Sequence, residues 1–107
     1  MRAQTAWERD ASDLLESRIV QLRGLAFEDV RQLPSVSDVQ AVVLGEGKGI
    51  LNVFVQPFGE DQMLVVAQCS RSAVGGMIGF HQERGLVFDK HGAVREATSV
   101  ELENSGG

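Results

Sequence analysis

Hydrophobic positions follow a helical period at the start of the chain. Apolar residues recur there every three or four positions, a spacing that places their side chains on one face of an α-helix. This face holds Trp7, Ala11, Leu14, Leu15, Leu22 and Leu25. Thr5 and Glu8 have capping-box spacing, and Gly24 is a typical helix end, so one long amphipathic helix is predicted. Arg18 lies within its apolar stripe, where it either extends past the sheet edge or pairs with a carboxylate at an interface.

The period changes after Pro34. A short helix is predicted over residues 27–33, and Pro34 ends it because the residue before a proline avoids the helical conformation. Strand-like runs then cover residues 39–44, 50–56, 63–70 and 77–81, the last continuing loosely to 88, with a short strand at 93–95. The links between the runs are short and turn-prone. Such links favour antiparallel hairpins, since parallel neighbours need a crossover of about a dozen residues or more.

These elements predict an α+β fold in a single domain spanning residues 1–107. An N-terminal amphipathic helix and a short second helix pack on one face of a four- to five-stranded antiparallel meander sheet. Residues 98–107 form either a short helix or a loose acidic tail. The capping-box spacing of Thr98 and Glu101 favours the helix, whereas Gly106 and Gly107 are typical of a loose end.

The predicted sheet is apolar on both faces. A strand with one solvated face alternates apolar and polar residues, whereas three of the four main runs are apolar on both sides of the pleat. Only one long helix is available to cover a face. We therefore expect something else to cover the second face: the sheet itself by curling, a second subunit, or a bound ligand.

A hairpin closed by residues 59–62 would set the neighbours in this sheet. It places Val55 opposite Val66 and Asn52 opposite Cys69. The face toward the helix then holds Leu51, Val53, Val55, Leu64, Val66, Ile78 and Phe80. The second face holds Ile50, Asn52, Phe54, Val65, Ala67, Cys69, His81 and Glu83. A shift by one residue would exchange neighbours between the faces.

The second face supplies the candidate ligand- or interface-facing residues. These are Asn52, Phe54, Cys69, His81 and Glu83. On the predicted register Cys69 and His81 lie diagonally, ~7 Å apart, where an imidazole can activate a thiol as a nucleophile. A buried, inert cysteine in a central strand is the commoner state of this residue. We predict no catalytic residue, metal site or cofactor. No pair of candidate ligands has the spacing of a helical metal site, and the glycine-rich stretch at 45–49 lacks the Ser or Thr that a phosphate-binding loop requires.

Composition and charge restrict the classes of partner. The 107 residues suffice for one modest core, and a formal net charge of −5 argues against binding to the phosphate backbone of nucleic acids. A single cysteine excludes an intrachain disulfide. No run approaches the ~18 apolar residues of a membrane span, and the first ten residues do not resemble a secretion signal. The sequence therefore predicts a cytoplasmic protein without a membrane partner.

The leading hypothesis for function is a non-enzymatic domain that self-associates. A homodimer is expected to form through the second sheet face or a strand edge, because exposed apolar patches mark interaction sites and two-fold dimers are the commonest assembly. Two alternatives stay open. One is a small-molecule-binding protein or enzyme with a pocket on the second face. The other is an acidic inhibitor or immunity-type partner of a basic protein.

Overall fold

A computed structural model describes residues 5–45, 47–71 and 81–104. The helices are α1 (Ala6–Arg23), α2 (Phe27–Arg31) and α3 (Ser99–Asn104). The strands are β1 (Val36–Leu44), β2 (Gly47–Pro57), β3 (Gln62–Arg71), β4 (His81–Asp89) and β5 (Val94–Glu96). The five strands form one antiparallel sheet in the order β1-β2-β3-β4-β5, with α1 packed against it. The predicted α+β meander is confirmed, although residues 77–80 of the fourth predicted run lie outside the described residues.

Helix α1 begins and ends where the sequence predicts. The side-chain oxygen of Thr5 accepts a hydrogen bond from the Glu8 backbone N–H at 3.3 Å, and Gly24 is the C-cap. The buried face holds Trp7, Ala11, Leu15, Ile19 and Leu22. Each large apolar side chain buried here contributes roughly 1.5–3 kcal/mol, so docking of α1 on the sheet supplies much of the stabilisation.

The core lies between α1 and one side of the sheet, which we call the helix face. Its strand residues are Leu44, Leu51, Val53, Val55, Met63, Val65, Ala67, Cys69, Leu86 and Phe88. Nearly all of these side chains are apolar, and each is excluded from solvent. The opposite side of the sheet is called the far face below.

The predicted register of the β2–β3 hairpin was wrong by one residue. Val55 lies opposite Val65, and Asn52 lies opposite Gln68. The cause is the turn, which has three residues between Phe58 and Gln62: the Phe58 N–H donates to the Gln62 carbonyl at 2.9 Å. The turn needs left-handed backbone at Gly59 (φ 62°) and at Asp61 (φ 59°). Aspartate adopts left-handed backbone more readily than most residues, but the sequence alone does not show that Asp61 does so.

The shift exchanges the faces of β3. Val65, Ala67 and Cys69 lie on the helix face, whereas Leu64 and Val66 lie on the far face, each the opposite of its predicted position. The predicted places of Leu51, Val53 and Val55 on the helix face are confirmed. Ile78 and Phe80, expected on that face, lie outside the described residues.

Helix α3 covers part of the far face. Leu102 packs with Leu64, Val66, Val87 and Ala97 in a second, smaller core. A complete capping box starts the helix: the Glu101 N–H donates to the Thr98 hydroxyl at 3.2 Å, and the Thr98 N–H donates to the Glu101 carboxylate at 2.9 Å. Residues 99–104 thus adopt the helical alternative for this segment. Part of the far face is thus covered by a helix of the chain itself, and not by any of the three predicted covers.

A candidate interaction surface on β1 and β2

Helix α3 leaves the far side of β1 and β2 uncovered. Cross-strand pairs place Val36 beside Phe54, Val39 beside Asn52, and Ala41 beside Ile50 on this side. We call the apolar members the open apolar surface: Val36, Val39, Ala41, Val43, Ile50 and Phe54. Val43 is 70% exposed, Val39 62%, Val36 51% and Ile50 43%. Every large apolar strand side chain that is exposed among the described residues lies on this surface.

A polar row borders the open apolar surface. Asn52, Gln68 and Glu83 occupy neighbouring positions across β2, β3 and β4, and each is half-buried. The Gln68 amide lies 3.5 Å from the Glu83 carboxylate, and exposed His81 lies opposite Ser70 at the end of the strand pair. Four of the five predicted candidates, Asn52, Phe54, His81 and Glu83, therefore share the far face.

Cys69 is separated from the other candidates. It lies on the helix face opposite Leu51 and Gln82 and is fully buried. Burial raises the pKa of the Cys69 thiol, because the thiolate would lose its hydration, so the reactive form is suppressed. The expected placing of Cys69 and His81 on one face is wrong, because the β3–β4 pairing puts Gln82 opposite Cys69 and Ser70 opposite His81.

Strand β1 is one edge of the sheet. Its only charged residue, Asp38, is bound by a side chain of α1. The guanidinium of Arg18 donates to the Asp38 carboxylate at 2.6 Å and to the Gln40 side-chain oxygen at 2.8 Å. Both contacts lie on the helix face, since Gln40 pairs with Leu51. Arg18 thus follows the carboxylate-pairing alternative, with a partner in its own chain. The contribution of β1 to the surface was not predicted, although Val39 and Val43 in its apolar run were a usable signal.

The opposite edge, β5, is short and charged. Arg84 on β4 binds both Glu16 of α1 and Glu96 of β5, and these contacts raise the pKa of its guanidinium. Arg95 makes two hydrogen bonds of 2.7 Å to the Glu101 carboxylate of α3. Strand β5 has only three residues, and two of them, Arg95 and Glu96, form ion pairs.

The Arg95–Glu101 pair predicts an acid-sensitive contribution to stability. Hydrogen bonds from Arg95 and then from the Thr98 N–H lower the pKa of Glu101 to about 2. A lowered pKa in the folded state stabilises the protein above the unfolded pKa of about 4.3, and that contribution is lost as the pH falls toward 2. We expect Glu101→Gln to be less stable than wild type at neutral pH and to approach the stability of wild type as the pH falls through 2. Urea unfolding across this range checks it, and a gap that stays constant with pH would contradict it.

A cleft of about 340 Å³ lies away from the open apolar surface, between the α1–α2 link and the β4–β5 turn. It is lined by buried Phe88, half-buried Val94 and the exposed side chains of Glu28, Lys90 and His91, among others. None of the five predicted candidates lines it. The described polar side chains around it are exposed or half-buried, and Lys90 is paired with Asp61.

Comparisons with protein-family models, with curated proteins and with solved structures found no match for this chain. Within the described ranges, no three His, Cys, Asp or Glu side chains come together as a metal site. The helices of that part of the chain are too short or too polar to cross a membrane. The open apolar surface is therefore the feature on which a functional proposal rests.

Proposed function

We propose that this chain is a non-enzymatic domain that self-associates as a homodimer through the open apolar surface or through the edge strand β1, which carries part of it. The observation that carries the proposal is the gathering of Val36, Val39, Val43 and Ile50, all exposed, on one side of two adjacent strands. Single exposed apolar residues are normal on a protein surface, whereas contiguous groups mark interaction sites. Burial stabilises at about 25 cal/mol for each Å² removed from water, which favours a partner that covers the group.

The charge pattern allows two copies to approach. The formal net charge of −5 repels at long range, but among the described residues the far side of β1 and β2 carries no acidic side chain. Its one charge is that of exposed Lys48 opposite Val43, and Arg18 neutralises Asp38 on the helix face. Repulsion between the remaining charges is screened beyond ~8 Å at physiological ionic strength. The dimer is therefore expected to tighten as salt is raised.

Val43→Glu tests the proposal. A carboxylate at the most exposed position of the surface would lose part of its hydration beside the second copy, whether the interface covers this face or borders it along β1, so we expect the variant to be monomeric at micromolar concentration where wild type is dimeric. Sedimentation equilibrium gives both masses. Val20→Glu is the matched control, because Val20 is 63% exposed but lies on α1. A monomeric wild type, or equal masses for wild type and Val43→Glu, would overturn the proposal.

The two alternative functions have less support. A ligand site on the far face would have combined Cys69 with Asn52, His81 and Glu83, and Cys69 lies on the opposite face. A role as an acidic partner of a basic protein rests on net charge, which solubility also explains.

A further inference from the structure

The exposure of the open apolar surface rises toward the edge of the sheet. On β2, Phe54 is half-buried and Ile50 is 43% exposed, whereas Val39 and Val43 on β1 are far more exposed. The β2 side chains have neighbours on both flanking strands, and the β1 side chains have neighbours on one. Val39 and Val43 therefore lack a neighbour on the outer side of β1, where a further strand of the sheet would lie.

Beyond its first three residues, strand β1 also lacks the usual protection of an edge. Natural edges are blunted by short length, lysine, proline, bulges or charges that point inward. Strand β1 is nine residues long, contains no lysine, arginine or proline, and has its one bulge near its start, between Val36 and Asp38. The Asp38 carboxylate, which could have served as a gatekeeper, is bound by Arg18. Strand β5, by contrast, has three residues and two ion-paired side chains.

We infer that two copies of this chain join β1 to β1 in antiparallel orientation, which makes one continuous sheet across a two-fold axis. This inference rests on the proposed function and specifies its geometry. A second copy fits because β1 is complementary to itself about Ala41. An axis at Ala41 places Val39 opposite Val43 of the other copy, twice, and brings the small Ala41 side chains together at the centre. Directly opposite side chains lie about 4.5–5.5 Å apart, so each exposed valine gains its missing neighbour.

A cysteine placed on the axis tests this geometry. In Ala41→Cys the two new thiols would lie opposite each other, with backbones about 4.5–5.5 Å apart, within the range that a disulfide requires. In Val43→Cys, the matched control on the same face, the two thiols would be offset by four residues along the strands, or about 13 Å, which is too far. Cys69 is buried and does not compete.

We expect mild oxidation to convert most of the Ala41→Cys chain to a covalent dimer on a non-reducing gel, while Val43→Cys stays largely uncrosslinked. Sedimentation of wild type is run alongside. A dimeric wild type without the Ala41→Cys crosslink would overturn β1 pairing and favour stacking of the far faces, while the proposed function would stand. Crosslinking of Val43→Cys at an equal rate would also overturn it. A monomeric wild type would overturn the proposed function itself.

Discussion

Replacing Phe88 by alanine is expected to remove about 3–5 kcal/mol from the free energy of unfolding. Phe88 is the largest fully buried side chain among the described residues and lies in the main core, between Met63 and Val94 on the neighbouring strands. The loss has two sources: the free energy gained by moving the ring out of water is no longer available, and a cavity remains where the ring was. Natural domains have a free energy of unfolding of about 5–15 kcal/mol, so this one change should greatly lower the urea concentration at the midpoint of unfolding.

Phe54→Ala is the matched control for this experiment. The chemical change is the same, but Phe54 is half-buried on the open apolar surface. We expect a clearly smaller loss of stability there, together with a weaker tendency to self-associate. Urea unfolding of the two variants should be measured at the same protein concentration, because association shifts the apparent stability. Equal losses at the two positions would contradict the assignment of Phe88 to the core and Phe54 to the surface.

Gly85→Val is expected to displace α3 from the far face. A Cβ atom at position 85 would lie 2.8 Å from the Leu102 side chain, 3.1 Å from the Val65 carbonyl oxygen and 3.3 Å from the Ala97 Cβ. Overpacking of this kind destabilises by about 1–3 kcal/mol. Hydrogen exchange should speed up at the Ala97 amide, which donates to the Gly85 carbonyl, and at the Leu102 amide in α3. Urea unfolding measures the accompanying loss of stability.

Leu102→Ala provides the control for the Gly85 prediction. It removes the side chain that the new Cβ would contact too closely. Gly85→Val should therefore lower the free energy of unfolding less in the Leu102→Ala background than in wild type. Contacting residues show coupling energies of about 0.5–3 kcal/mol in such a cycle, whereas distant residues add independently. Strict additivity would show that Leu102 does not lie over Gly85.

The sequence predicted the elements well because their signals are local. A capping residue, a 3.6-residue period and a glycine define α1, and the short links define the antiparallel order of the strands. The β2–β3 register failed because it depends on one turn, where Asp61 adopts a left-handed conformation that most residues avoid. The covering role of α3 depends on contacts between Leu102 and strand residues far away in the chain, such as Leu64. Nothing local to residues 98–104 signals where they pack.

The candidate surface was partly predictable for the same reason. The alternation within β2 placed Ile50, Asn52 and Phe54 together, because residues two apart share a face whatever the register. The position of Cys69 needed the register between two strands and was wrong. The contribution of β1 needed the strand order, since an edge strand and a central strand can have the same composition.

The three-residue turn at 59–61 also limits how this chain can vary in length. Deleting or inserting one residue there would move Leu64 and Val66 beneath α1 and expel Val65 and Cys69 from the interior. Adding two residues would keep each side chain on its present side. Descendants of this sequence should therefore tolerate insertions of two residues at this hairpin far better than insertions of one.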